Sequence, residues 1–159
     1  MLSFDFPADR AFTLSVSQSE YAYHTQVHFD EFDALGILHH ARYFHHLERA
    51  QQAFFQHLLG VSDFNAGRDE DIYVVVRGVE ARFRTPIRSP GEYVVFYRLA
   101  SLRAAGLTLD FEFATADKSG LHCTGSRTVC KLSGRTHQPA EWSSPFRSAL
   151  QAWSSCNPG

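Results

Sequence analysis

The stretch that decides the fold is Phe29-Asp-Glu-Phe-Asp33-Ala-Leu-Gly36-Ile-Leu-His39-His40-Ala-Arg-Tyr43-Phe-His-His-Leu-Glu-Arg49. Alternating side chains lead into it over residues 20–29, which predicts a strand. The acid-and-glycine segment that follows predicts a tight turn. Apolar residues at helical spacing then predict an amphipathic helix from about residue 40 to 59, with Gly60 as its C-cap. Asp33 lies seven residues before His40, close to the backbone N–H groups that a helix start leaves unpaired.

The remainder of the chain predicts four more strands and a short helix. Alternation and turn residues place the strands at 72–84, 92–102, 107–116 and 121–132, and Ser144-Pro145 opens the helix. Phe12, Leu14 and Val16 allow a further short strand. Consecutive hairpins favour an antiparallel sheet. The apolar face of the one long helix must be buried, and the sheet is the element that can bury it. The predicted fold class is therefore α+β, with about five antiparallel strands wrapped around one helix.

Periodicity also assigns side chains to faces of these elements. The inward faces are predicted to carry Tyr21, Tyr23, Thr25, Val27 and Phe29 on the first strand, Val75, Val79, Ala81 and Phe83 on the second, Tyr93, Val95, Tyr97 and Leu99 on the third, and Leu107, Leu109, Phe111 and Phe113 on the fourth. The helix is predicted to bury Tyr43, Phe44, Leu47, Ala50, Phe54, Phe55, Leu58 and Leu59, and to expose His46, Arg49, Gln52 and Gln56.

Composition indicates one globular domain over residues 1–159, with its core at about 20–132, an N-terminal extension and the C-terminal helix. A net charge of −2 without a basic run argues against nucleic-acid binding. We find no signal peptide and no apolar run long enough for a membrane span. Three cysteines without a CxxC pair fit a reducing, cytoplasmic setting. The four histidines of the helix start have poor metal-ligand spacing, so we expect no metal and no cofactor.

The turn and helix start also resemble a known family. A strand, then F-D-x-x-G, then H-H-A-R-Y opening a long helix is similar to the 4-hydroxybenzoyl-CoA thioesterase family, in particular to the acyl-CoA thioesterases associated with the Tol–Pal system. Asp33, Gly36, His40 and Tyr43 stand at the positions of its motif, and Phe83-Arg-Thr-Pro86 resembles its aromatic-x-x-Pro element. Phe32 and His39 depart from the usual residues. The resemblance covers about residues 20–132 and implies the hotdog fold and thioester hydrolysis.

The candidate site combines a carboxylate with a helix start. We expect Asp33 to act as nucleophile or as general base, and amides near His39, His40 and Ala41 to polarise the carbonyl. His40, which could orient the thioester or a water molecule, and Tyr43 are the other two catalytic candidates. The structural alternatives stay open: Asp33 as a cap or turn acid, His40 as a donor of its backbone amide alone, Tyr43 as a core residue. Gly36 is expected to supply a positive φ or a close backbone approach. Asp30 and Glu31 are treated as structural acids, and so is Glu48 on the helix.

Arg84 and Arg88 are the candidates for holding the phosphates of the substrate, with edge-strand charge as the alternative interpretation. The expected activity is hydrolysis of acyl-CoA thioesters. Two other functions remain open: release of acyl chains from a carrier protein, and non-catalytic binding of acyl-CoA. Because one such unit leaves sheet edges uncovered, and as the resemblance implies, we expect a homodimer or homotetramer with sites at the interface.

Overall fold

The fold is described by a computed structural model over residues 19–63 and 70–156. The strands are β1 (Glu20–Val27), β2 (Val74–Phe83), β3 (Gly91–Leu102), β4 (Gly106–Ala114) and β5 (Leu121–Lys131). The helices are α1 (His40–Leu59) and α2 (Ser144–Ser155), and single 3-10 turns lie at Phe29–Glu31 and Glu70–Ile72. The possible strand at Phe12, Leu14 and Val16 lies outside the described residues.

The five strands form one antiparallel sheet in the order β1-β3-β4-β5-β2. One long helix, α1, packs against this sheet, and its buried residues share a core cluster with β1, β3, β4 and β5. This is the hotdog fold, and the predicted fold class is confirmed. The topology leaves β1 and β2 at the two edges of the sheet.

The ends of α1 follow from its capping residues. His39 is the N-cap, and its ring Nδ1 accepts a hydrogen bond from the Ala41 amide at 3.2 Å. Gly60 ends the helix in the left-handed conformation with φ 63°, which glycine adopts at little cost. The predicted bounds of 40–59 are therefore confirmed by caps at both ends.

The predicted inward faces of β3 and β4 are confirmed, but part of the β2 assignment is wrong. The pairing of β2 with β5 shifts between Val76 and Gly78, so Arg77 forms a bulge. A bulge adds one residue and reverses the face assignment of everything on one side of it. As a result, Val74 packs against the core with Val79 and Ala81, whereas Val75 is exposed.

Two further face assignments are wrong. Phe29 lies beyond the end of β1, in a 3-10 turn, and is 81% exposed. His46 was expected on the polar side of α1, yet it is fully buried. The reason is a buried acid: the carboxylate of Glu31 reaches into the core and accepts a hydrogen bond from the His46 ring at 3.0 Å. A polar side chain can be buried when its hydrogen bonds are made within the protein.

The end of the sheet opposite the turn is held by a second buried polar cluster. Lys131 is 2% exposed, and its ammonium lies 3.0 Å from Asp71. The Asp71 carboxylate also accepts hydrogen bonds from the backbone and hydroxyl of Ser143, the N-cap of α2. This cluster fixes α2, whose Phe146 packs on Trp142 and Phe55.

Candidate active site

A cavity of about 270 Å³ opens at the N-terminus of α1. It is bounded by the turn before the helix, the first helical turn and the segment that follows β2. The lining residues are Asp33, Ile37, Leu38, His40, Tyr43, Phe83, Arg84, Thr85 and Pro86. The structure thus brings Asp33, His40, Tyr43 and Arg84, four of the predicted site residues, to one cavity.

Asp33 begins a closed turn. Its amide donates to the carbonyl of Ile37 at 2.9 Å, and its carbonyl accepts from the Gly36 amide at 3.0 Å. Its carboxylate oxygen Oδ1 accepts hydrogen bonds from the amides of Leu35 (2.8 Å) and Ile37 (3.4 Å). Within residues 19–63 and 70–156, no donor reaches Oδ2. One carboxylate oxygen therefore shapes the turn, and the other is available to a ligand in the cavity.

The amides of the helix start differ in their availability. The His39 amide donates to the carbonyl of Glu31 at 3.0 Å, and the Ala41 amide donates to the His39 ring. In the described parts of the chain, the His40 amide has no acceptor. Because His40 is the first residue of α1, its N–H is one of the donors that a helix leaves free at its positive end. Of the three amides considered from the sequence, only that of His40 is without an acceptor among residues 19–63 and 70–156.

Tyr43 forms part of the cavity wall and is otherwise buried. Its ring makes edge contacts with Phe83 and Phe113, each at 5.2 Å between centroids. Burial raises the pKa of Tyr43 to about 12, although a hydrogen bond with the backbone of Ile87 opposes the shift. The phenol therefore stays protonated at neutral pH, so it can contact or hydrogen-bond a ligand but cannot serve as a base.

Comparison with known proteins identifies the fold family. Residues 27–153 match the Thioesterase-like superfamily, and this range includes the turn and all but the last two residues of α2. The chain belongs to this superfamily. No curated protein sequence matches it. The match is to the superfamily as a whole, so the narrower 4-hydroxybenzoyl-CoA and Tol–Pal-associated types stay predictions.

Solved structures share the fold of this thioesterase-like protein at low sequence identity. The PA2801 protein of Pseudomonas aeruginosa is 22% identical, with a TM-score of 0.70 over 81% of this chain and 96% of that one. Slr0204, a 1,4-dihydroxy-2-naphthoyl-CoA thioesterase from Synechocystis, is 13% identical (TM-score 0.69; 82% and 95% covered). SAV2348 of Staphylococcus aureus, in complex with CoA, is 11% identical (TM-score 0.76; 93% and 91% covered). As a superfamily member, this protein is a thioester hydrolase.

The other predicted site residues of this thioesterase lie outside the cavity wall. Gly36 has φ 69°, as expected for a turn glycine, but does not line the cavity. His39 and Ala41 are joined to each other by the N-cap hydrogen bond. Arg88 is exposed and is not part of the lining. Thr85 and Pro86, which were not among the predicted site residues, do line it.

Neither a metal centre nor a membrane helix is found in the part of this thioesterase that the structure describes. Residues 19–63 and 70–156 hold no group of three His, Cys, Asp or Glu side chains arranged to bind a metal ion. Among those same residues, neither helix combines the length and the apolar character that crossing a membrane requires.

The buried His46 gives a testable dependence of stability on pH. Burial lowers the pKa of His46, and the neighbouring charges of Arg49 and His45 act in the same direction, whereas Glu31 opposes them. The folded chain therefore keeps this imidazole neutral where the unfolded chain, with a pKa of about 6.5, takes up a proton. We expect the free energy of unfolding to fall as pH drops below about 6.5, at up to about 1.4 kcal/mol per pH unit from this group.

Urea unfolding at pH 5.0–8.0 measures this effect. The matched variant is His46→Gln, whose amide offers a donor to Glu31 and an acceptor to Thr25 but does not titrate. The difference in stability between the two proteins should be constant above pH 7 and shrink at lower pH. A difference that stays constant down to pH 5 would contradict a depressed pKa for His46.

Proposed function

We propose that this protein hydrolyses acyl-CoA thioesters to the free acid and CoA. The observation that carries the proposal is the cavity at the start of α1, which is lined by both Asp33 and His40. The His40 amide has no acceptor among the described residues. The Asp33 carboxylate and this amide are the two groups that thioester hydrolysis requires: one to attack or to activate water, and one to stabilise the oxyanion. The fold shared with a CoA complex and with a CoA thioesterase supports CoA as the thiol.

In the proposed reaction, the thioester carbonyl oxygen faces the His40 amide. Asp33 Oδ2 either adds to the carbonyl carbon or takes a proton from a water molecule that adds. The negative charge that develops on the oxygen is stabilised by the amide and by the positive end of the helix. The C–S bond then breaks, and the thiolate leaves as CoA without strong acid assistance, since a thiol has a pKa of about 8.5. In the nucleophilic route, water afterwards hydrolyses the anhydride on Asp33.

The rest of the cavity suggests how the substrate is held. Tyr43 and Phe83 present aromatic surface to the acyl group, and Arg84 lines the same cavity. An exposed arginine suits a phosphate of CoA because its forked donors match phosphate oxygens. Arg88 has no such position on the cavity, so the structure favours Arg84 for this role.

A second copy of the chain completes the site in our proposal, as expected from the sequence. β2 is an edge strand, and it exposes three large apolar side chains, Val75, Val76 and Phe83. An apolar edge of this kind is a template for pairing with another strand. Phe83, the last residue of β2, and Arg84, which follows it, both line the cavity, so a partner on β2 would also cover the open side of the cavity.

We therefore expect Val76→Glu to weaken the dimer and to reduce hydrolysis. Val76 is 47% exposed, so a lone chain tolerates the charge, whereas an interface would bury it unpaired. Such a charge costs about 3–5 kcal/mol, which corresponds to a ~10²–10⁴-fold weaker dimer. Light scattering and activity across a dilution series measure both effects. Ala100→Glu is the control, because Ala100 is exposed on β3, which β4 and β5 separate from β2 in the sheet. A monomeric wild type with full activity would contradict the proposed interface.

The activity itself is tested with a panel of acyl-CoA esters and a thiol-trapping reagent. We expect release of free CoA from at least one aromatic or medium-chain ester. Esters of the same acyl groups on a carrier protein form the second arm. Hydrolysis of the carrier-bound esters alone would show that the carrier-bound ester, rather than acyl-CoA, is the substrate. Tight binding of acyl-CoA without thiol release would contradict hydrolysis.

A further inference from the structure

A chain of three buried side chains joins β1, α1 and the start of the turn that carries Asp33. Thr25 Oγ1 lies 2.6 Å from His46 Nδ1, and His46 Nε2 lies 3.0 Å from Glu31 Oε1. The second oxygen of Glu31 accepts a hydrogen bond from the His28 amide at 2.8 Å. Glu31 is 8% exposed. All three side chains are buried, and Glu31 and His46 come from parts of the sequence 15 residues apart.

The positions of the protons in this chain follow from what each atom can do. An ionised Glu31 accepts only, so the hydrogen of a neutral His46 ring lies on Nε2. Nδ1 is then an acceptor, and the Thr25 hydroxyl donates to it. Every polar side-chain atom of Thr25, His46 and Glu31 has a suitable hydrogen-bond partner. A buried polar network is rigid under this condition.

The order hydroxyl, imidazole, carboxylate is that of a hydrolytic triad, but the placement is different. Thr25 is buried, and none of the three residues lines the cavity. A nucleophile must reach the substrate carbonyl, which this hydroxyl cannot do. Thr25, His46 and Glu31 can therefore affect the reaction only by positioning other residues that do line the cavity.

Glu31 lies at the beginning of the turn, and a hydrogen bond to its backbone closes the turn. Its carbonyl accepts the His39 amide at 3.0 Å, and Phe32 and Leu38 pair immediately inside that contact. Asp33 follows two residues after Glu31, and His40 follows directly after His39. The backbone of Glu31 thus sets the separation of the two groups that act on the carbonyl, and its side chain is fixed by His46 and His28.

We propose that Glu31 and His46 are positioning residues that hold Asp33 and the His40 amide in their reactive arrangement. The predicted effect on kcat rests on the proposed function. The claim that these two residues fix the turn does not depend on it. An error of about 1 Å in the placement of reacting groups costs on the order of 10²-fold in rate. Neither residue touches the substrate in the proposal, so losing the chain of hydrogen bonds lowers kcat and leaves KM nearly unchanged.

The kinetic test compares four variants of the full chain. His46→Leu breaks the chain of hydrogen bonds and should lower kcat by roughly 10- to 100-fold. His46→Gln restores a donor to Glu31 and an acceptor to Thr25, and should recover most of that loss. Thr25→Val removes only the last hydrogen bond and should cost roughly 2- to 10-fold, which makes it the deciding variant if His46→Leu does not fold. Lys131→Met disrupts the other buried polar cluster, away from the turn, and should lower Tm without changing kcat.

Amide hydrogen exchange of the same proteins tests the positioning without any substrate. The turn and helix-start amides of Gly36, Ile37 and His39 should exchange faster in His46→Leu and Thr25→Val, and at the wild-type rate in His46→Gln and Lys131→Met. Unchanged exchange there, or an unchanged kcat in a folded His46→Leu or Thr25→Val protein, would overturn the proposal. If the wild type hydrolyses no ester, the proposed function fails and the exchange data alone decide whether the turn is held in this way.

Discussion

Asp33→Asn should leave the protein folded and reduce thioester hydrolysis by ~10²–10⁴-fold, the range that a general base contributes. The asparagine oxygen can keep the hydrogen bonds that Asp33 Oδ1 accepts from the amides of Leu35 and Ile37. What the substitution removes is the charge and the second oxygen, which no donor reaches in the described residues. Steady-state kinetics on the best ester of the panel measure the loss, and it should fall on kcat.

The control for this variant is Asp30→Asn. Asp30 lies three residues earlier, is exposed, and does not line the cavity. Its substitution removes the same charge from the same part of the surface, so it accounts for any general electrostatic effect on a negatively charged substrate. Full turnover by a well-folded Asp33→Asn protein, or an equal loss in both variants, would reject the role of Asp33.

His40→Pro should reduce kcat by ~10²–10³-fold relative to His40→Ala, because proline removes the backbone donor. The first position of a helix tolerates proline, since the N–H there has no partner within the helix. The preceding residue also suits it: His39 has φ −59° and ψ 133°, within the extended region that proline requires before it. The backbone donor can therefore be deleted with little expected disturbance of α1.

The alanine variant separates the two roles that the sequence left open for His40. If the imidazole takes part, His40→Ala alone lowers kcat and proline adds a further loss. If only the amide acts, His40→Ala is close to the wild type. Circular dichroism and Tm of both variants check that α1 is intact. Equal kcat in the alanine and proline variants would show that the amide does not stabilise the oxyanion.

The sequence was sufficient for the fold because local signals agreed with one another. Gly60 indicated the end of α1, and the stripe of apolar residues on this helix indicated that it packs against a sheet. Alternation located β3 and β4 and their inward faces. Alternation alone fails on β2 because a bulge at Arg77 changes the phase. Val75 was placed on the wrong face for this reason. The neighbouring Gly78 is the local signal for the bulge, since an isolated glycine inside a strand often accompanies one.

The site was only partly predictable for a related reason. A motif can indicate that Asp33, His40 and Tyr43 lie near one another, and the cavity is consistent with that. It does not indicate which amides are already occupied, because that depends on the His39 ring and on the carbonyl of Glu31. His46 was placed on the polar face by its residue type. Only the three-dimensional arrangement brings Glu31 to it.

The most direct test of the mechanism is a crystal structure with a non-hydrolysable acyl-CoA analogue, in which a methylene group separates the carbonyl from sulphur. We predict that the analogue's carbonyl oxygen accepts a hydrogen bond from the His40 amide. Its carbonyl carbon should lie about 3–3.5 Å from Asp33 Oδ2, or from a water molecule bound to it. A carbonyl held away from both groups in every copy would contradict the mechanism, whatever the activity of the protein.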